Sequence, residues 1–266
     1  MVNIMIDIQS TRDSRNISID RVGVKNLLYP VKVRQMSGGY QQTIARIHVL
    51  VDLQAQNRGT HMSRLVEVID SFSGHEMTIF TIPEILNQLR SRLESQTAEI
   101  DIQFPYFLRK QAPISKIGGM VDYNCNFHGR LDGELVFQYG VSAPISSVCP
   151  CSKEISDFGA HNQRGEVKVD IRSKKDALVW FEDLIGIIES SASSPIYSIL
   201  KREDEKFVTE SAYKKPVFVE DIVRDIAGIL NEDVRLTWFR VEAAHHESIH
   251  NHDAFAVIEK NVDKFI

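Results

Sequence analysis

Cysteine is scarce in this chain, apolar runs of membrane length are missing, and positive charge is not in excess. The three cysteines are Cys125, Cys149 and Cys151 in 266 residues. So small and odd a set argues against a disulfide framework and points to packing, metal binding or catalysis. No stretch approaches the ~18 uninterrupted apolar residues of a membrane span. Residues 1–10, which include Asp7, hold no apolar run of signal-peptide length. A cytoplasmic location with no membrane partner is therefore expected. Basic side chains number 31 against 36 acidic, a net charge of −5, which is no electrostatic footprint for nucleic acid. The remainder, 43% apolar and 25% charged, is ordinary globular composition, enough for one large domain or two small ones.

Hydrophobic periodicity supplies the elements. Ala45, Ile47, Val49, Val51 and Leu53 alternate as in a strand, with an earlier strand around residues 29–34. Met62, Leu65, Val66, Ile69 and Phe72 then recur at helical spacing. A second helical stripe is Ile82, Ile85, Leu86, Leu89 and Leu93, where Thr81 and Glu84 have capping-box spacing and Pro83 suits a first turn. Strands follow at 100–104 and through Tyr123, Cys125, Phe127 and Leu131. Asp132-Gly133 is a hairpin signal before Leu135, Phe137, Tyr139 and Val141.

The order then repeats as a pattern. A strand through Val167, Val169 and Ile171 precedes a helix with Leu178, Phe181, Leu184, Ile185 and Ile188. A further helix carries Phe218, Ile222, Ile226 and Ile229 behind Pro216, and strands at 234–241 and 254–258 close the chain. Two halves, 1–132 and 133–266, are expected, in an α+β layout of antiparallel sheets with helices on one face.

Two segments break the pattern: SSVCPCSKEISDFGAHNQR from Ser146 and AAHHESIHNH from Ala243. Together they supply Cys149, Cys151, His161, His245, His246, Glu247, His250 and His252, all ligands competent for zinc or a similar divalent ion. One residue between the cysteines is not zinc-finger spacing, so spacing alone leaves a catalytic metal site and a solvated polar loop both open. Cys125, on the apolar side of an alternating strand, reads as core. Gly59-Thr60-His61-Met62-Ser63-Arg64 opens a helix and suits either a phosphate or a plain cap. Glu220 lies in the first turn of its helix, where the dipole alone favours an acid. The run from Lys201 to Lys206 reads as a solvated charged face.

Six stretches, in order, closely resemble the type IB GTP cyclohydrolases: SRNISIDRVGVKNLLYPV, GTHMSR, VCPCSKEISDFGAHNQR, YSILKREDEKFVTE, KKPVFVEDIVRD and ESIHNH. They span nearly the whole chain. The cysteine loop, DEKFVTE and ESIHNH are too specific for chance agreement of all three.

That resemblance implies a tunnelling fold, with two tandem ββααββ units assembled into homotetramers whose active sites lie at subunit interfaces. It implies a metal-dependent hydrolase that opens GTP at C8, releases formate and closes 7,8-dihydroneopterin triphosphate, the first step toward folate. The ligands carried over are Cys149, His161, Glu205 and His250, for Zn²⁺, Mn²⁺ or Fe²⁺. Glu220 would anchor guanine through N1–H and the 2-amino group. Cys151, Glu247 and His252 would move protons or position substrate. A triphosphate needs several cations, which points to Arg64, Lys153 and Arg202, with ordinary surface charge as the alternative for each. Archaeal relatives that yield a cyclic phosphate, another pterin or deazapurine enzyme of the same fold, and a non-catalytic zinc protein are the competing readings.

Overall fold

The computed structural model describes residues 7–9, 11–175 and 177–262. The N-terminal stretch read as lacking a leader therefore lies largely outside them. Among the described residues, no helix is long and apolar enough to cross a membrane. The chain divides into two compact units, Met1–Phe104 with Asn126–Gln138, and Pro105–Cys125 with Tyr139–Ile266.

The first unit begins with β1 (Ile19–Arg34) and β2 (Tyr40–Leu53), antiparallel in the register Leu27↔Ile47 and Val31↔Thr43. The period-two pattern of β2 buries Ala45, Ile47, Val49, Val51 and Leu53 on one face. Helix α1 (Met62–Ser71) buries Leu65, Val68 and Ile69, so Val68 takes the core place expected of Val66. Strand β3 (Glu76–Met77) runs parallel to β1. Helix α2 (Thr81–Leu93) buries Ile82, Ile85, Leu86 and Leu89. Its expected Thr81–Glu84 capping box does not form. Thr78 Oγ1 instead accepts the amides of Phe80 and Thr81, at 3.2 and 3.3 Å. Strands β4 (Thr97–Gln111), β5 (Gly118–Asp132) and β6 (Glu134–Val148) follow. Gly133, at φ 71°, makes the β5–β6 turn. Gly129 admits α2 closely: a Cβ there would stand 2.7 Å from Ile82 Cγ2.

In the second unit, α3 (Pro150–Ile155) leads into β7 (Asn162–Ser173), α4 (Phe181–Ser191) and β8 (Ser194–Pro195). Helices α5 (Arg202–Lys214) and α6 (Val219–Glu232) precede β9 (Leu236–His246) and β10 (Asp253–Asn261). The register Val141↔Val169↔Val241 lays one buried row across β6, β7 and β9. Helix α6 packs on β9, β10 and α4. It buries Val219, Ile222, Val223, Ile226 and Leu230, while Phe218 lies outside the helix and Ile229 faces solvent.

The charge run read as a solvated face is helix α5, and Asp204 anchors it. Burial alone would raise the Asp204 carboxyl. The Ser115 hydroxyl and the amides of Lys201, Ser115 and Ile114 outweigh that and hold it well below the usual range.

The expected fold class needs correction. Among the described residues, ten strands form one sheet in the order β10-β9-β7-β6-β5-β4-β2-β1-β3, with β8 pairing β6. The β1–β3 pair is parallel, so the sheet is mixed. The element order inserts β3 between α1 and α2, and α3, β8 and α5 into the second half. Two separate antiparallel ββααββ units of a tunnelling fold are therefore not what the chain builds. Periodicity could not reveal this, because two-residue strands carry no period and a strand's sequence does not name its neighbour.

If the α6 stripe holds the second unit together as described, Ile226→Ala should cost about 2–5 kcal/mol. Urea unfolding with an unchanged slope would measure it, and a cost under about 1 kcal/mol would contradict this packing.

Candidate active site

The site starts where three neighbouring strands end. Ser147 of β6 pairs with Gln163 of β7, and Gly165 of β7 pairs with His245 of β9. Strand alternation puts Ser147, Gln163 and His245 on one face, and all three are buried. A Cβ on Gly165 would lie 2.7 Å from Ala244 O and 2.9 Å from His245 Cδ2, so glycine there leaves space for the imidazole.

The chain leaves β6 directly into α3. Cys149 is its N-cap and Pro150 its first residue, a position that needs no amide. Cys149 Sγ accepts the Ser152 amide at 3.5 Å. The Cys149 amide donates to His161 O at 3.1 Å, and the His161 amide to Ser152 Oγ at 3.2 Å. These bonds fasten His161 beside the cysteine. Its Nδ1 lies 3.2 Å from Ser248 Oγ, so Nε2 is the nitrogen that a ligand could take. The Val217 amide donates to Val148 O at 3.2 Å, and this brings the start of α6, with Glu220, against the end of β6.

A pocket of about 350 Å³ results, and Cys149, Cys151, His161, Glu220, Glu247 and His250 line it. Three of the four expected metal ligands are thus together, with the expected guanine anchor and two of the three expected proton-transfer residues. The donor set of one sulfur and two imidazoles suits zinc or a borderline first-row ion.

The other expected residues lie elsewhere. Glu205 and Arg202 are exposed on α5. Lys153 donates to Tyr213 O at 2.6 Å, with its ammonium 4.4 Å from that ring's centroid. His252 stacks on His250, at 5.2 Å between centroids, off the pocket wall. Arg64 lines a pocket of about 210 Å³ in the first unit, with Thr60 and His61.

Two lining residues had no specific role in the sequence reading: Gln163, and His245, which was named only among the metal-competent side chains. Gln163 donates from Nε2 to Glu247 Oε1 at 3.4 Å, while its own Oε1 is buried without a partner. His245 is 2% exposed. Its Nδ1 is 3.3 Å from Ser147 Oγ, and its Nε2 has no partner. Burial lowers its pKa, against the pull of Glu247 and Glu220, and favours the neutral ring. Residues 243–252 read as loop, yet β9 runs to His246, and the alternation Val241, Ala243, His245 was the available signal.

Among the described residues, one group of potential ligands has its ligand atoms within 4.8 Å of one another: Glu99, Asp101 and His128, in the first unit. It is already paired. Glu99 Oε2 lies 3.1 Å from Arg21 Nε and 3.0 Å from Arg130 Nη1, and His128 Nδ1 lies 2.7 Å from Asp101 Oδ1. Two guanidinium groups on one carboxylate already supply the positive charge that a dication would bring, while Cys149, His161 and His250 line one pocket without their ligand atoms closing to that distance.

A family model described as type I GTP cyclohydrolase FolE2 matches residues 5–256. The GTP cyclohydrolase FolE2 of Desulfosudis oleivorans is 51% identical over 256 residues, 96% of this chain and 97% of that protein. The FolE2 of Syntrophotalea carbinolica is 49% identical over 255 residues, 96% and 95% of the two. Among solved structures, the uricase of Arthrobacter globiformis aligns with a TM-score of 0.54 at 7% identity, covering 92% of this chain and 93% of that one. A urate oxidase from Bacillus sp. TB-90 aligns at 0.55 and 11%, covering 91% and 98%. At such identity the likeness concerns the fold alone, a uricase-like arrangement in place of the expected tandem units.

The Asp101–His128 contact has a measurable consequence. The hydrogen bond to Asp101 raises the His128 pKa, with burial opposing. A raised folded pKa means the pair's contribution to stability is complete below about 6.5 and lost as pH rises through the folded value. NMR titration should place His128 above 6.5, and Asp101→Asn should bring it down. A value at or below 6.5 in the parent protein would contradict the pairing.

Proposed function

The chain belongs to the type I GTP cyclohydrolase FolE2 family, and from that membership we propose how its pocket carries out the family's reaction. It is a GTP cyclohydrolase of folate synthesis, with GTP as substrate. The observation that supports the site assignment is the meeting of Cys149, His161, His250 and Glu220 in one pocket.

In this reading Cys149, His161 and His250 hold a divalent ion, whether Zn²⁺, Mn²⁺ or Fe²⁺. When bound, such an ion supplies a Lewis acid and brings the pKa of a water toward ~7. Glu220 accepts from guanine N1–H and the 2-amino group, a donor pair that adenine does not offer. That contact fixes the purine ring while C8 is attacked. Cys151 and Glu247 stand on the same wall and are suited to carry protons as the imidazole ring opens and formate leaves. His252 holds His250 in place through their stack. The product is 7,8-dihydroneopterin triphosphate. Type IB, the subdivision the motifs resemble, is finer than the family description.

A fourth donor comes from Glu205 of a second copy. Its exposure on α5 supports this, as does the strand β10, which exposes Phe255 at 60% and Val257 at 46%. Apolar side chains on such an edge suit a homo-oligomer, read as a tetramer with interface active sites. Arg64 and Arg202 would reach the triphosphate in the same way. Cys125, Cys149 and Cys151 are all free thiols, which accords with a reducing cytoplasm.

Two variants separate metal binding from base recognition. Cys149→Ala should lower both bound metal and turnover, because it removes the sulfur donor. Chelation of the parent enzyme should abolish activity, with a divalent ion restoring it, and full activity in metal-free protein would sink the metal assignment. Glu220→Gln should keep metal content and melting temperature while kcat/KM for GTP falls about tenfold to hundredfold. A donor amide then faces the donor edge of guanine, a mismatch of about 1–3 kcal/mol. Kinetics like the parent's would remove Glu220 from the site.

A further inference from the structure

His245 is placed by three strands, fully enclosed, and incompletely bonded. Its ring lies over Gly165 and beside Ser147, a residue with no exposed surface. Nε2 is buried without a partner, on a residue that lines the pocket shared by Glu220 and Cys149. A buried polar atom left unpaired in a folded protein calls for an explanation, and a missing ligand is a common one. His245 lines the same pocket as Glu220 and Glu247, so its open nitrogen borders the cavity in which the base is proposed to be held.

Guanine chemistry selects the role. The edge that Glu220 would take, N1–H with the 2-amino group, is flanked on both sides by acceptors, O6 and N3. A neighbouring protein group must therefore donate. We propose that His245 is a specificity-determining residue whose Nε2–H donates to the purine acceptor beside the edge held by Glu220. Ser147 sets the tautomer: its hydroxyl donates to Nδ1 and leaves the proton on Nε2. This rests on the reading of Glu220 as base anchor.

Full-length, metal-loaded His245→Phe and His245→Gln enzymes test the assignment. Phenylalanine fills the space without a donor. Glutamine carries an amide nitrogen near the Nε2 position. KM for GTP should rise about tenfold in His245→Phe, and His245→Gln should recover most of that loss, with metal content unchanged in both. The analogues 6-thio-GTP and 3-deaza-GTP weaken O6 and remove N3 respectively. The one lacking the contacted acceptor should bind the parent enzyme more weakly, yet lose nothing further on His245→Phe. Glu220→Gln run in parallel separates the two readings. If it is impaired while both His245 variants keep the parent KM, the His245 assignment is overturned and the Glu220 reading stands. If it matches the parent, the base anchor is wrong and the placement of His245 against guanine falls with it. If phenylalanine and glutamine raise KM equally and neither analogue loses its effect, His245 only fills space.

Discussion

The candidate site depends on the register in which β7 pairs with β6 on one side and β9 on the other. Because side chains alternate, a slip of one residue would turn every inward group outward. The observed pairing, Ser147↔Gln163 and Gly165↔His245, puts a hydroxyl, an amide and an imidazole on one buried face. The same register sets Val141, Val169 and Val241 in a row deeper in the sheet. The apolar row fixes the pairing, and the polar residues at its end inherit their positions from it.

The pocket wall adds the two helix starts to that frame. Cys149 sits where β6 becomes α3, and Glu220 where the chain, tied by Val217 to Val148, enters α6. Sulfur and imidazole are thus held by short backbone-anchored turns, while the carboxylate rides on a helix packed against β9 and β10. This separates the parts chemically. On the proposed assignment, a ligand would be lost without moving Glu220, and Glu220 altered without loosening the metal.

Much of this was legible in the sequence. The alternation at Ala45–Leu53 and the Asp132-Gly133 turn lie where they were placed, and the helical stripes do in the main, with Val68 in place of Val66, Leu178 and Phe218 before their helices, and Ile229 in solvent. The two cysteine- and histidine-rich segments were marked by composition, and they do meet. The single ten-stranded sheet was not legible, since strand order is set by contacts distant in sequence. Neither was α5, whose charged surface hides two buried residues, Asp204 and Ala212. His245 was hidden by its neighbours: beside His246 and Glu247 it looks like loop, and only its phase with Val241 and Ala243 reveals a strand. Glu205 shows the opposite limit. The resemblance assigns it as a ligand, but within one chain it faces solvent.

The central claim is that GTP is held by the pocket between α3, the start of α6 and the ends of β7 and β9. Hydrogen–deuterium exchange on the full-length enzyme, with and without GTP, addresses it most directly. The account predicts slowed exchange in residues 149–152, 161–163, 218–222 and 245–250 when GTP is present. Protection confined to other segments, with these four unchanged, would contradict it.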